Sequence, residues 1–311
     1  MIKTVTLNPA VDKTVEIDNF KVDSVNRIKS MRLDAGGKGI NVSKVIKVLG
    51  GHSIATGFLA GRNGNFIKEY LDGYDIDNDF LFVKGETRTN LKVVDKLNGT
   101  NTDINETGSE INSDDLIKLE DKIFQDMSEG AILVLAGSVP MNVQKDVYRR
   151  WIERAKNIKA KVLLDADGEL LKEGIKAGPY LIKPNIHELE KLLDKKLSSI
   201  NDVTIAAREL LGFGIEVVVV SLGEDGALFV TRDKAIKAKG ISVEIKSTVG
   251  AGDSMVASLA FALKRGYSLE KAAALSVAAA TANVASEGTQ PPKIEEILKY
   301  EKMVEINDLE V

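Results

Sequence analysis

The chain has 311 residues, 44% hydrophobic and 28% charged, with a net charge of −4. That balance suits one large globular domain and excludes bulk electrostatic attraction to nucleic acid or membrane. The absence of cysteine excludes disulfides, thiolate metal sites and thiol catalysis, and two histidines are too few for an imidazole metal cage.

The N-terminal stretch MIKTVTLNPA reads as a strand and not as a secretion signal. No run of about 18 apolar residues marks a membrane span. A cytoplasmic protein with neither nucleic-acid nor membrane partners is therefore expected. From about Asp12 to Thr107 the pattern changes. KTVEIDNF, NRIKSMRL, TNLKVVDK and TNTDINE alternate apolar and polar residues, as half-exposed antiparallel strands do. Between them GINVSKVIKVLGG has helical spacing and ends on a glycine pair. These strands are expected to leave the main layer as a small separate sheet.

Four runs follow that are apolar on both faces: AILVLAG (131–137), KVLLDAD (161–167), YLIKPN (180–185) and EVVVVSLG (216–223). Buried parallel strands look like this. Helical segments precede two of them, NVQKDVYRRWIERAKN from Asn142 and DVTIAARELLGFG from Asp202. The alternation predicts an α/β fold with a parallel sheet. The last third holds two alanine-rich helices, DSMVASLAFALKRG and SLEKAAALSVAAATANVAS.

The segment STVGAGDS, Ser247 to Ser254, carries the chemistry. Glycine lets an anion approach the backbone, and free amides at a helix start attract it. Asp253 either caps this helix or takes a proton from a hydroxyl while the amides of Gly250, Ala251 and Gly252 hold a moving phosphoryl group. No GxxxxGK[ST], no GxGxxG after a strand and no protein-kinase motif set competes, which disfavours a nicotinamide dehydrogenase. A second glycine cluster, LDAGGKGINVS, offers Gly37 for close backbone approach and Asn41 for hydroxyl contacts.

Together the two clusters resemble the ribokinase/PfkB sugar-kinase family. LNPAVDKTV, GETRTN, AGSVP, IKPNIHELE and VVSLGEDGAL match in order, so the resemblance spans essentially the whole chain. NPAVD with AGGKGINVS is similar to the hexose-phosphate kinase branch. Ser247 stands where many relatives outside that branch have Asp. The resemblance implies a ribokinase-like three-layer α/β/α core with a mostly parallel sheet. It implies one domain over 1–311, with a small β-sheet lid from about 12–35 and 88–107.

The resemblance also implies roles. Asp253 is the expected base, with Gly250, Ala251 and Gly252 as anion hole. Asp12, Gly37 and Asn41 contact sugar, and Arg88, Lys38 and Arg27 are candidates for the sugar phosphate. Lys183, Asn185 and the loop Ser221, Leu222, Gly223, Glu224, Asp225 and Gly226 face ATP, together with Gly252 and Asp253. Asn283 lines the adenine pocket or packs within its helix. Glu188 reaches Mg²⁺ through water. The implied reaction is ATP-dependent phosphorylation of a ketohexose phosphate, fructose 1-phosphate to fructose 1,6-bisphosphate. Tagatose 6-phosphate is the alternative acceptor, and a sugar-phosphate sensor without catalysis is the alternative class. A homodimer clasped through the lid is expected.

Overall fold

The computed structural model describes residues 1–286 and 290–309. The chain opens with β1 (Ile2–Thr6), β2 (Ala10–Glu16), β3 (Ser30–Gly36), α1 (Lys38–Val48), β4 (Ile54–Ala60), α2 (Gly61–Gly73) and β5 (Asn78–Val83). Next come β6 (Arg88–Asp95), β7 (Thr100–Asn105), α3 (Ser113–Phe124), β8 (Ile132–Ala136), α4 (Val147–Asn157), β9 (Lys161–Asp165), α5 (Gly168–Ile175) and β10 (Leu181–Ile182). The remainder is α6 (Ile186–Leu193), α7 (Ile200–Leu211), β11 (Val217–Ser221), β12 (Gly226–Val230), β13 (Ala235–Lys239), α8 (Ala251–Arg265), α9 (Leu269–Val284), α10 (Ile294–Glu301) and β14 (Ile306–Asp308).

Ten strands form the main sheet in the order β14-β13-β12-β11-β10-β9-β8-β1-β4-β5. Neighbours from β11 to β5 are parallel, and β12, β13 and β14 close one edge antiparallel. The apolar runs are continuous because helices cover both faces. On β8, Leu133 and Leu135 enter one core with Tyr148 and Trp151 of α4, while Ile132, Val134 and Ala136 enter the other with α1, α8 and α9. The period of two along a strand thus sorts one sequence into two cores, and the expected three layers are present.

Two expected elements are shorter than the sequence suggested. The helix anticipated from Asn142 starts at Val147. The strand anticipated at 180–185 is reduced to Leu181–Ile182. Pro184 has no N–H for a ladder, and Asn185 is already the N-cap of α6.

β1 lies between β4 and β8, so the chain first builds outward to β5 and later restarts on the other side at β8. Connections diverge above the strand ends at such a switch point, and a cleft opens there. Beside it stands the small sheet, ordered β3-β2-β6-β7. Its register places Asp12 and Thr14 of β2 beside Asn90 and Lys92 of β6, and these beside Asn105 and Asp103 of β7. All six line the cleft. The intervening residues Met31, Leu33, Leu91 and Ile104 belong to the opposite, apolar face, where Met31, Leu33 and Ile104 are exposed.

Gly57 of β4 pairs with Thr6, the last residue of β1. Its φ is +142°, and a Cβ there would lie 1.9 Å from the Thr6 carbonyl oxygen. Backbone cannot move aside as a side chain can. Gly57→Ala is therefore expected to cost more than about 3 kcal/mol of folding stability, read as a lowered midpoint in urea denaturation.

Candidate active site

The cleft has a volume of about 580 Å³ and is lined from both sheets. At its floor, Gly250 adopts a left-handed conformation (φ +88°) and caps α8. Ser254 N–H is the first to bond back, to the Gly250 carbonyl at 2.8 Å. The amides ahead of it at the helix start remain available to an anion. A Cβ on Gly252 would lie 3.2 Å from Lys183 Nζ, so an ammonium stands beside this turn. The Asp253 side chain does not cap the helix. It is 6% exposed, faces the cleft, and its Oδ2 accepts from Asn41 Nδ2 at 2.8 Å.

Asn41 comes from the first turn of α1, and its Oδ1 in turn accepts from Lys44 Nζ at 3.4 Å. Lys44 is buried and also bonds the Ala35 carbonyl of β3. Burial lowers the Lys44 pKa to about 8, against the pull of Asp34, Asp12 and Asp253. The Lys44 contact fixes which end of the Asn41 amide meets Asp253.

A second centre was not evident in the sequence. Asp165, the last residue of β9, is 2% exposed. Its Oδ2 accepts from Lys38 Nζ and its Oδ1 pairs with Lys183 Nζ, both at 3.2 Å. Burial would raise the Asp165 pKa, but Lys183 and Lys38 reverse this and hold it below the ordinary carboxylate range. Asp165 in turn raises the Lys38 pKa.

At the roof, Asp12 Oδ1 accepts from Asn90 Nδ2 at 2.9 Å. Gly36 makes room for that carboxylate, because a Cβ there would lie 2.2 Å from Asp12 Oδ2. Burial raises the Asp12 pKa, opposed by the Asn90 bond. Arg88 donates from Nη1 to the Glu106 carbonyl at 3.0 Å and from Nη2 to the Asn8 carbonyl at 3.1 Å. On the far wall Asn185 and Glu188 form a capping box on α6. Asn185 Oδ1 accepts from Glu188 N–H at 2.8 Å, and Glu188 Oε2 accepts from Asn185 N–H at 3.0 Å.

The pfkB family carbohydrate kinase pattern covers residues 5–296. The chain belongs to the pfkB family of carbohydrate kinases. It is 37% identical over 283 residues to 1-phosphofructokinase of Borreliella burgdorferi, covering 91% of each chain. It is also 37% identical over 287 residues to 1-phosphofructokinase of Bacillus subtilis, covering 92% of this chain and 93% of the relative. The fold superposes on Escherichia coli phosphofructokinase-2, solved in complex with substrates and products, with a TM-score of 0.93 at 32% identity. That match covers 97% of this chain and 98% of the other.

In this pfkB kinase the cleft gathers Asp12, Gly37, Lys38, Asn41, Arg88, Lys183, Asn185, Glu188, Ser221, Gly250, Gly252 and Asp253. Three groups of expected positions lie apart from this cleft lining. Arg27 is exposed in the β2–β3 connection and does not line the cleft. Leu222 to Gly226 turn from β11 into β12 outside the cleft wall, with Gly223, Glu224 and Asp225 exposed. The tight Gly226 turn serves that hairpin, since a Cβ would lie 2.1 Å from the Ala238 carbonyl oxygen. Asn283 is buried behind the Gly250 turn, its Nδ2 3.2 Å from where a Gly250 Cβ would be, and it is absent from the cleft lining. No helix among the described residues is long and apolar enough to cross a membrane.

Burial pushes the Asp253 pKa from an ordinary 3.8 up to about 6, and the Asp165 charge adds to this against Lys38, Asn41 and Lys183. A carboxyl raised in the folded state favours folding while protonated in both states. That contribution is complete below about 3.8 and lost as pH rises through about 6. At pH 8 the ionised Asp253 therefore weakens the fold by on the order of 2–3 kcal/mol. Asp253→Asn is expected to raise Tm at pH 8. The gain should shrink steadily between pH 6 and 4 in a series of thermal melts.

Proposed function

We propose that this pfkB kinase transfers the γ-phosphoryl group of ATP to the 6-hydroxyl of fructose 1-phosphate, giving fructose 1,6-bisphosphate and ADP. The observation that carries the reading is Asp253, a buried carboxylate with a raised pKa held by Asn41 beside an open helix start. A base poised near neutrality suits proton removal from an alcohol. The curated relatives named 1-phosphofructokinase support the choice of sugar.

The acceptor hydroxyl meets Asp253, which takes its proton as the oxygen bonds to the γ-phosphorus and the bond to ADP breaks. The amides of the Gly250–Gly252 turn and the Lys183 ammonium receive the charge of the moving phosphoryl group. Asp12 and Asn90 hold sugar hydroxyls, and Arg88 faces the sugar phosphate. Lys183, Asn185 and Ser221 border the nucleotide phosphates. Mg²⁺ fits Glu188: its Oε2 serves the capping box, which leaves Oε1 for a metal-bound water. No group of three or more histidine or acidic side chains among the described residues could hold a metal by itself. One carboxylate completed by nucleotide phosphates and water is the arrangement Mg²⁺ accepts. When bound, the ion would neutralise phosphate charge.

The chain works as one domain, with the small sheet as a lid that excludes water from the acceptor. The outer apolar face of that lid, with Met31, Leu33 and Ile104 exposed, suits a homodimer in which two lids meet. Ile104→Asp with Met31→Asp is expected to convert the dimer to monomer in sedimentation equilibrium. An unaltered mass would remove this face from the interface.

The decisive assay is ADP release with fructose 1-phosphate, tagatose 6-phosphate, fructose 6-phosphate and free hexoses. The highest kcat/KM is expected with fructose 1-phosphate. Preference for tagatose 6-phosphate would replace that substrate, turnover of free sugars alone would overturn the reading, and no turnover would favour a sensor. For the base, kcat should rise with pH through about 6 and then level. Asp253→Asn should lower kcat by about 10²- to 10⁴-fold with ATP binding retained; near-normal turnover would reject Asp253.

A further inference from the structure

Lys44 is buried and does not line the cleft, so it stands beyond the reach of a ligand there. Burying an ammonium is costly unless something nearby compensates it. Asp34 of β3, Asp12 of β2 and Asp253 of α8 surround it with negative charge, and the Tyr70 ring of α2 lies 5.0 Å from it. Asp34 pairs with Arg32 Nε at 2.7 Å, and Asp12 accepts from Asn90. The ammonium directs its own hydrogen bonds to two neutral oxygens, the Ala35 carbonyl and Asn41 Oδ1.

Asn41 and Lys44 are three residues apart and share one face of α1. The Asn41 amide lies between a carboxylate, which only accepts, and an ammonium, which only donates. One orientation alone serves both: Nδ2 toward Asp253 at 2.8 Å and Oδ1 toward Lys44 at 3.4 Å. A rotated amide would set Oδ1 against the Asp253 carboxyl. An N–H donor there favours the ionised acid, whereas a carbonyl oxygen favours the protonated one. Lys38 and Lys183 also favour ionised Asp253, and Asp165 opposes them. The direction of the amide adds a further control on how readily Asp253 loses its proton.

We propose that Lys44 is a positioning residue: it locks the Asn41 amide with its N–H toward Asp253 and so keeps that carboxylate able to accept a proton at neutral pH. The inference rests on the reading of Asp253 as the base. The lock does not require the charge on Lys44. Burial brings its pKa down to about 8, but the neutral amine still carries two N–H groups for its two oxygens. By that pH Asp253 is already ionised, so kcat should stay level.

The test follows kcat against pH, at saturating ATP and preferred acceptor, in the full-length parent, Lys44→Met, Lys44→Arg, Asn41→Leu and the combination of Lys44→Met with Asn41→Leu. The rising limb lies near pH 6 in the parent. In Lys44→Met it should move up by about one to two pH units, with the KM for ATP unchanged, and Lys44→Arg should return it most of the way. Asn41→Leu should shift the limb likewise, and adding Lys44→Met should shift it no further, because the lysine acts through the amide. A substrate-free readout accompanies these. A higher Asp253 pKa enlarges the stability lost on ionisation, so Asp253→Asn should raise Tm at pH 8 more in the Lys44→Met background than in the parent. If Lys44→Met does not fold, Lys44→Gln, uncharged and one bond shorter, takes its place with the same expected shift. A lysine that only supports the fold would lower Tm and leave the limb at its parental pH. That result, or additive shifts in the combined variant, overturns the Lys44 inference while Asp253 remains the base. If the parent shows no limb and Asp253→Asn turns over normally, the base reading fails and this inference with it.

Discussion

The site depends on one buried carboxylate, Asp165, sharing two lysines. Lys38 arrives from the start of α1, Lys183 from the end of β10 and Asp165 from the end of β9. Three chain segments far apart in sequence are thereby fixed at one point. Ionising a buried aspartate is costly, and only close, well-oriented countercharges offset the cost. The same two lysines moderate Asp253, which burial and Asp165 would otherwise drive still higher. The charge of the cleft floor is thus set as a unit.

The small sheet inverts the usual economy of a surface sheet. Its polar face turns toward the protein and its apolar face outward, with Val15, Ile17 and Val93 clustered against Phe20 and Leu91. A surface sheet packed on a core normally buries apolar residues and wets polar ones. The reversal follows from what the cleft needs. Carboxylate, amide and ammonium groups must line a cavity, so the alternation of β2 and β6 is spent on that face. The opposite face takes its cover from α2 at one end, where Val11 and Ala35 pack with Ile67 and Leu71.

Much of this was legible in the sequence, and the gaps have physical causes. Continuous apolar runs gave the parallel sheet because burial on both faces erases alternation. The turn around Gly250 and the clusters at Gly37 and Asn185 could be read because their backbone demands force the residue types. Asp165 was hidden, since an aspartate ending the apolar run KVLLDAD looks like any turn residue. Asn90 and Lys92 sat in a recognised strand, but alternation reveals two faces without telling which one meets the cleft. Lys44 was masked by the helical pattern of α1. Asn283 and Leu222–Gly226 lie apart from the cleft lining, since a motif fixes residue order, not how far a loop stands from a cavity. Arg27 also lies apart from it, in a connection whose path no local pattern determines.

The central place of β1 has a consequence for how the protein comes into being. Its first neighbour, β4, begins at Ile54, and its second, β8, begins at Ile132. At a translation speed of about 5–20 residues per second, the earliest strand waits on the order of ten seconds for its last partner to leave the ribosome. For that interval one edge of an apolar strand stands open beside an incomplete core. Pairings between such distant segments also make folding slow. Nascent chains of this enzyme are thus most open to aggregation, and to capture by holding factors, before residue 136 has emerged.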